Sequence, residues 1–193
     1  MVELIVLARR LDDLFTAEGW EFCIIGGVAL QVWGEERFTK DVDITLFTGF
    51  GGEEVIVDKV LKVFAGRRPD AREFALLHRV LLLQSEEGYG IDISLGALPF
   101  EQEAVRRAKP CQYGKVGKIK VCTAEDLIVM KAFASRGQDW VDIERVLVRQ
   151  KGKLDWEYIL RHLADLVALK EEPEIVNRLL VLRTEVDGYP QSG

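Results

Sequence analysis

The chain has 193 residues, with 26 lysines and arginines against 32 aspartates and glutamates, giving a formal net charge of −6. Apolar residues make up 48% and charged residues 30%, a balance that excludes an intrinsically disordered chain. The apolar runs are far shorter than the roughly 20 residues that span a bilayer, so no membrane association is expected. Because the opening residues lack the order of a signal peptide, we expect a cytoplasmic protein.

The predicted elements of the first part of the chain mix helices and strands. An amphipathic helix comes first, because apolar residues recur at helical spacing from Leu4 to Phe15 and Gly19 ends the pattern. The elements expected after it are strands at 21–25, 42–47, 79–84, 91–95 and 118–122, and helices near 28–33, 53–65 and 100–108.

From Thr123 onward the pattern is helical only. Thr123 and Asp126 form a predicted capping box, two further helices are expected near 139–148 and 156–167, and Pro173 suits the first turn of a fourth. We therefore expect an α/β (α+β) fold. A mixed-sheet core flanked by helices would occupy residues 1–122, and a C-terminal helical bundle, residues 123–193, would pack on it.

Two carboxylates at the start of the strand predicted at 42–47 stand out. Asp41 and Asp43 are two residues apart, so in an extended segment both project from the same face. Like charges at that distance repel unless a cation lies between them, and oxygen ligands of this kind suit Mg²⁺. A solvated strand entrance is the alternative for an isolated Asp-x-Asp pair.

Two more features add to this pair. Asp92 lies among apolar residues of another predicted strand, where it either alternates outward or joins Asp41 and Asp43 in a metal site. Gly26 and Gly27 end the strand at 21–25 and open a helix, a turn that lets backbone N–H groups approach a phosphate. Glycine pairs also occur in ordinary turns.

The four motifs together resemble the nucleotidyltransferase superfamily with the DNA polymerase β-like fold. The first two are Ile24-Ile25-Gly26-Gly27 and Arg37-x-Thr39-x-Asp41-x-Asp43, a form similar to the AbiEii/MenT-type group, which includes bacterial toxin–antitoxin toxins. The others are the helix leading to Lys131 and the segment Asp139-x-x-Asp142-Ile143. The resemblance covers roughly residues 20 to 150.

The resemblance implies a role for each matching residue. Asp41, Asp43 and Asp92 would hold Mg²⁺ or Mn²⁺, and Asp92 would alternatively be the base for the acceptor hydroxyl. The nucleotide-binding residues would be Gly26, Gly27, Arg37, Thr39, Lys131, Asp139 and Asp142, of which Lys131 is also catalytic. From the residues alone, Lys131 also suits a solvated helix position, and Asp139 and Asp142 suit the N-terminal turn of a helix, with Asp139 as its N-cap.

These features predict a metal-dependent nucleotidyltransferase that moves a nucleoside monophosphate from an NTP to an acceptor hydroxyl and releases pyrophosphate. The acceptor would be RNA such as a tRNA 3′ end, a protein or a small molecule, and a toxin would require an antitoxin partner. The alternatives are an antibiotic-modifying nucleotidyltransferase and a non-catalytic nucleotide-binding module. Two basic clusters are further candidates for RNA contact or for solvated faces: Arg67, Arg68, Arg72, His78 and Arg79; and Lys115, Lys118 and Lys120.

Overall fold

The structure, a computed structural model, describes residues 2–189. The last four residues of the predicted helical region, 190–193, lie outside the described residues. Two compact units are present: residues 2–29 with 37–122, and residues 30–36 with 123–189.

The first unit alternates helices and strands. In chain order its elements are α1 (Val2–Ala17), β1 (Phe22–Ile24), the start of α2 (Gly26–Trp33), β2 (Asp41–Phe47), α3 (Glu53–Val60), β3 (Ala65–Gly66), α4 (Ala71–His78), β4 (Val80–Gln84), β5 (Gly90–Gly96), α5 (Pro99–Arg107), β6 (Lys109–Tyr113) and β7 (Gly117–Val121).

Within residues 2–189, the strands form one seven-stranded sheet in the order β3-β4-β5-β2-β1-β7-β6. The pairs β2–β5 and β1–β7 are parallel, whereas β1–β2, β4–β5, β3–β4 and β6–β7 are antiparallel. The expected mixed sheet with flanking helices is therefore confirmed.

Alternation along β2 explains why a strand carrying carboxylates belongs in the middle of this sheet. Val42 and Ile44 are fully buried, while Asp41 and Asp43, which alternate with them along the strand, are only half-buried. Since side chains alternate between the two faces of a strand, the apolar residues anchor β2 in the core. The opposite face is left for the carboxylates.

Three parts of the predicted pattern differ from the structure. The helix expected at 53–65 ends at Val60, and β3 follows it as a two-residue strand. Helix α4 and strand β6 were not predicted. Both are short, and β6 contains Pro110, which weakens a strand pattern but is tolerated at the edge of a sheet, where β6 lies.

The second unit is helical. It contains the end of α2, then α6 (Ala124–Ala134), α7 (Gly137–Arg149), α8 (Trp156–Lys170) and α9 (Glu174–Asp187), with Pro173 directly before α9. No helix within residues 2–189 has the length and apolar character needed to cross a membrane.

Two helix starts in this unit bear on the sequence predictions. The capping box of α6 is present, because the Asp126 N–H donates to Thr123 Oγ1 at 3.3 Å and the Thr123 N–H donates to Asp126 Oδ2 at 3.2 Å. Helix α7 begins at Gly137, earlier than expected. Asp139 is therefore the third residue of the helix and not its N-cap.

Candidate active site

Three carboxylates lie on one face of the sheet, where β2 and β5 run side by side. The parallel register places Asp43 opposite Asp92 and Asp41 opposite Gly90. Residues in register on neighbouring strands project from the same face, so Asp41, Asp43 and Asp92 share a surface. This cluster of three, called here the carboxylate cluster, lies at the beginning of both strands.

The turn after β1 packs directly against the carboxylate cluster. Gly26 has a φ of +60°, and a Cβ atom there would overlap Asp43 Oδ2 and lie 2.6 Å from Asp43 Cγ. The preceding Ile25 N–H donates to the Asp43 carbonyl at 2.9 Å, which fixes the turn to β2. Only glycine combines this left-handed backbone with such a close approach.

Gly27 makes a similarly close contact with Thr39, which lies just before β2. A Cβ atom at Gly27 would come within 2.8 Å of both Cβ and Oγ1 of Thr39. Thr39 Oγ1 in turn donates to the Asp41 carbonyl at 3.4 Å, and Arg37 Nη1 donates to the Phe38 carbonyl at 3.3 Å. The segment leading into β2 is thus packed closely against the start of α2.

Arg67 supplies the positive charge of this surface. Its backbone N–H donates to the Leu82 carbonyl at 3.0 Å, which extends the β3–β4 pairing by one residue. Its Nη2 donates to Asp92 Oδ1, and its Nη1 lies 3.7 Å from Asp41 Oδ1. From the sequence, Arg67 was only one member of a basic cluster, because no local pattern places it beside residues of β2 and β5.

The acidity of Asp92 reflects these neighbours. Partial burial raises the pKa of its carboxyl above the ordinary value, and the negative charge of Asp41 raises it further. The Arg67 guanidinium opposes both effects by stabilising the ionised carboxylate, but the pKa stays raised.

The other arginines of the same basic cluster have acidic partners of their own. Arg68 donates to Asp70 at 2.9 Å, and Arg72 donates to Asp58 at 2.7 Å. Arg79 pairs with Glu53. Of the second cluster, Lys118 and Lys120 lie on β7 and Lys115 lies in the turn before it.

Lys131, Asp139 and Asp142 form a separate buried cluster in the helical unit. Lys131 Nζ lies 2.7 Å from Asp142 Oδ2 and 3.2 Å from Asp139 Oδ1, so one ammonium faces two carboxylates. Asp142 is fully buried, and Lys131 is 6% exposed. The Gln138 side chain donates to Asp142 at 3.0 Å, and the Arg136 N–H donates to Asp139 at 3.2 Å. The solvated position considered for Lys131 is therefore wrong.

The donor set of the carboxylate cluster suits a hard divalent cation, since it consists of carboxylate oxygens on half-exposed side chains. As the side chains lie, no group of three or more His, Cys, Asp or Glu residues within 2–189 is arranged to hold a metal ion. The positive group between Asp41 and Asp92 is instead Arg67. Coordination by all three carboxylates would require side-chain rearrangement and a new position for Arg67.

Comparison with sequence models of protein families identifies the class of protein as a nucleotidyltransferase. The chain belongs to the family described as nucleotidyl transferase AbiEii toxin, type IV TA (toxin–antitoxin) system, whose sequence model matches residues 5–188. No curated protein sequence matches the chain.

Several solved structures are similar to this one at low sequence identity. An antigenic nucleotidyltransferase-like protein from Paracoccidioides brasiliensis is 18% identical over 91% of each chain, with a TM-score of 0.49. The lincosamide antibiotic adenylyltransferase LnuA, in a lincomycin-bound structure, is 17% identical over 73% of this chain and 94% of its own, with a TM-score of 0.48. The antibiotic-resistance factor ANT(2'')-Ia is 17% identical over 95% and 90%, with a TM-score of 0.45.

Proposed function

We propose that the protein transfers a nucleoside monophosphate from an NTP to an acceptor hydroxyl, with Mg²⁺ or Mn²⁺ held by Asp41, Asp43 and Asp92. The observation that carries the proposal is the carboxylate cluster itself. Two adjacent strands present carboxylates on one face, and the glycine turn at Gly26 is packed against Asp43. Family membership supports the same reaction class.

The reaction is an in-line displacement at the α-phosphorus. The acceptor oxygen forms a bond to phosphorus, the bond from the α-phosphorus to the bridging oxygen breaks, and pyrophosphate leaves. When bound, divalent cations stabilise negative charge on the attacking and leaving oxygens. The first backbone N–H groups of α2, from Gly26 and Gly27 onward, would donate to the triphosphate, because the first turn of a helix leaves such donors without helical partners.

Asp92 takes one of two roles in this scheme. Its register position opposite Asp43 allows it to share the metal, and its carboxylate can alternatively accept the proton of the attacking hydroxyl. A substitution of Asp92 by asparagine separates these roles. Loss of metal binding would identify a ligand, whereas retained metal binding with slow transfer would identify a base.

Lys131 is proposed to contact the nucleotide phosphates, with Asp139 and Asp142 holding its ammonium in place. Both carboxylates lie within 3.2 Å of Nζ, so the ammonium has a fixed position. When it contacts the phosphates, the Lys131 ammonium would offset negative charge that develops during transfer.

Arg37 and Thr39 are proposed to bind the nucleotide from the segment before β2.

The family description also supports a biological role. We propose that the protein is the toxin component of a toxin–antitoxin pair, acts in the cytoplasm, and is neutralised by an antitoxin protein. The proposed acceptor is either RNA or a protein, and among RNAs the first candidate is a tRNA 3′ end. The acceptor classes can be separated experimentally, because each gives a labelled product of different size and nuclease or protease sensitivity.

The test is incorporation of α-labelled NTPs, each supplied separately with Mg²⁺ or Mn²⁺. Total RNA, purified tRNA and the protein itself are the acceptors offered. We expect one or two nucleotides to label one acceptor class, and the label to be lost with the double variant Asp41→Ala/Asp43→Ala. Metal-dependent nucleotide binding without labelling of any of them would instead favour a small-molecule acceptor. Equal labelling by the double variant would contradict the proposal.

A further inference from the structure

The Arg67 side chain reaches partners on two strands that are not adjacent to β3. Neighbouring strands lie about 4.8 Å apart, and Arg67 follows β3, so its side chain passes over β4 to reach Asp92 on β5 and Asp41 on β2. Its nearest sequence neighbour of the same type, Arg68, instead pairs with Asp70 two residues away.

The sheet also contains a gap that admits this side chain. Gly90 lies in register with Asp41, and a Cβ atom at Gly90 would overlap Asp41 Oδ1 and come within 2.9 Å of Arg67 Nη1. No side chain therefore separates the guanidinium from the Asp41 carboxylate. Gly90 does not have a positive φ, so the close approach, and not the backbone, is what requires glycine there.

Arg67 and a divalent cation would compete for the same oxygen atoms. The guanidinium donates to Asp92 Oδ1 and faces Asp41 Oδ1, and an oxygen that accepts this charged hydrogen bond is not free to coordinate a metal closely. Three carboxylates and one guanidinium leave the cluster negative, so it still attracts cations. The side chain of Arg67 is 30% exposed, which allows it to turn away from the sheet.

We propose that Arg67 couples metal binding to nucleotide binding. Its guanidinium neutralises Asp41 and Asp92 when no nucleotide is bound. When metal and nucleotide bind together, the guanidinium moves from these carboxylates to the triphosphate. A planar guanidinium pairs well with phosphate oxygens, so the incoming nucleotide compensates for the carboxylates that Arg67 leaves. This inference rests on the proposed function, since it requires a metal–triphosphate complex at the carboxylate cluster.

If Arg67 couples the two sites, its removal should change the affinity for metal alone and the affinity for metal-bound nucleotide in opposite directions. Without Arg67, metal alone should bind more tightly, because its competitor is gone. Metal-bound nucleotide should bind more weakly, because a phosphate ligand is gone. A residue that only supports the fold would weaken both, so the opposite signs distinguish coupling from a structural role. Coupling free energies between sites typically correspond to about 5- to 150-fold in affinity.

The experiment measures Mn²⁺ binding by electron paramagnetic resonance, and binding of nucleoside α,β-methylene triphosphates by calorimetry, for each of the four bases. Arg67→Gln is compared with the native chain and with Arg68→Gln as a matched control. We expect Arg67→Gln to bind Mn²⁺ alone about tenfold more tightly and the Mn²⁺–nucleotide complex about tenfold more weakly. Arg68→Gln should change neither by more than about twofold.

Unchanged or weaker Mn²⁺ binding by Arg67→Gln in the absence of nucleotide would overturn the inference. Unchanged nucleotide affinity would overturn it as well, because Arg67 would then be a counter-ion only. If Arg67→Gln fails to fold, Arg67→Met replaces it with the same two expected changes, since methionine also removes the charge and the donors and keeps an unbranched side chain. Failure of the proposed function is recognised separately, as Mn²⁺ binding that the Asp41→Ala/Asp43→Ala variant retains in full.

Discussion

The buried cluster around Lys131 provides the strongest prediction for stability. In Lys131→Met the side chain keeps a similar length but loses the ammonium that lies 2.7 Å from Asp142 and 3.2 Å from Asp139. Both carboxylates then remain in the protein interior without their cation. Their other donors, the Gln138 amide and the Arg136 N–H, compensate only in part.

The expected loss follows from the burial of all three groups. Their side chains are 8%, 11% and 0% exposed for Lys131, Asp139 and Asp142, so solvent screens the charges little. Removing one partner of a buried ion pair typically costs about 3–5 kcal/mol in the free energy of unfolding. For a chain of this size, each kcal/mol corresponds to roughly 2–4 °C, so we expect Tm to fall by roughly 6–20 °C.

The assay is urea denaturation of the native chain, Lys131→Met, Asp142→Asn and the double variant, all without nucleotide. Because Asp142→Asn removes one of the stranded charges, the double variant should lose less than the sum of the single losses, by about 0.5–3 kcal/mol. Lys153→Met, at an exposed position of the same unit, is the matched control and should change stability by about 0.5 kcal/mol or less. A loss below about 1 kcal/mol for Lys131→Met, or strict additivity, would refute the reasoning.

Three further predictions concern the site and the helical unit. Gly26→Ala should slow transfer on the order of 100-fold in a labelled-NTP assay, because its Cβ would displace the Asp43 carboxylate; a normal rate would contradict the packing. Chelation with EDTA should stop incorporation and excess Mg²⁺ or Mn²⁺ should restore it, whereas activity that persists in EDTA would exclude the proposed metal role. Tyr158→Phe should lower the free energy of unfolding by about 1.5–3 kcal/mol, because the tyrosine hydroxyl donates to the buried Asp126 carboxylate at 2.6 Å; an unchanged urea midpoint would show that this bond contributes nothing.

Local patterns predicted the parts of the fold that depend on neighbouring residues. The alternation of apolar and acidic residues on β2 is such a pattern, and so is the capping box at Thr123 and Asp126. The mixed sheet could be expected because strands and helices alternate up to residue 122 and give way to helices after it. The edge strand β3 has too few residues for a period to be visible, and Pro110 weakens the strand pattern of β6.

Long-range pairing explains what the sequence could not predict. The contact of Arg67 with Asp41 and Asp92 depends on the register of β3 with β4, of β4 with β5, and of β5 with β2. The role of Gly90 depends on the same register, since its missing side chain matters only because Asp41 lies opposite. A glycine two residues before an aspartate on a buried strand is a weak signal, but it is the one that the sequence offers.

For Lys131, local reasoning left a solvated position open, although the apolar helix around it favours an inward-facing one. A lysine in an apolar helix suits either a solvated edge or an interior position, and the choice depends on whether carboxylates face it from another helix. Here α7 supplies both, Asp139 from its first turn and Asp142 from the next. Because burying a lone ammonium is strongly unfavourable, the pair of aspartates is what permits Lys131 to lie inside.

The central claim is that this chain catalyses nucleotidyl transfer through its carboxylate cluster. The most direct measurement follows α-labelled and γ-labelled samples of the same NTP in parallel reactions with the identified acceptor. The account predicts that α-label joins the acceptor, that γ-label appears in pyrophosphate, and that Asp41→Ala/Asp43→Ala does neither. Transfer of γ-label to the acceptor, or equal rates for native and variant chains, would contradict it.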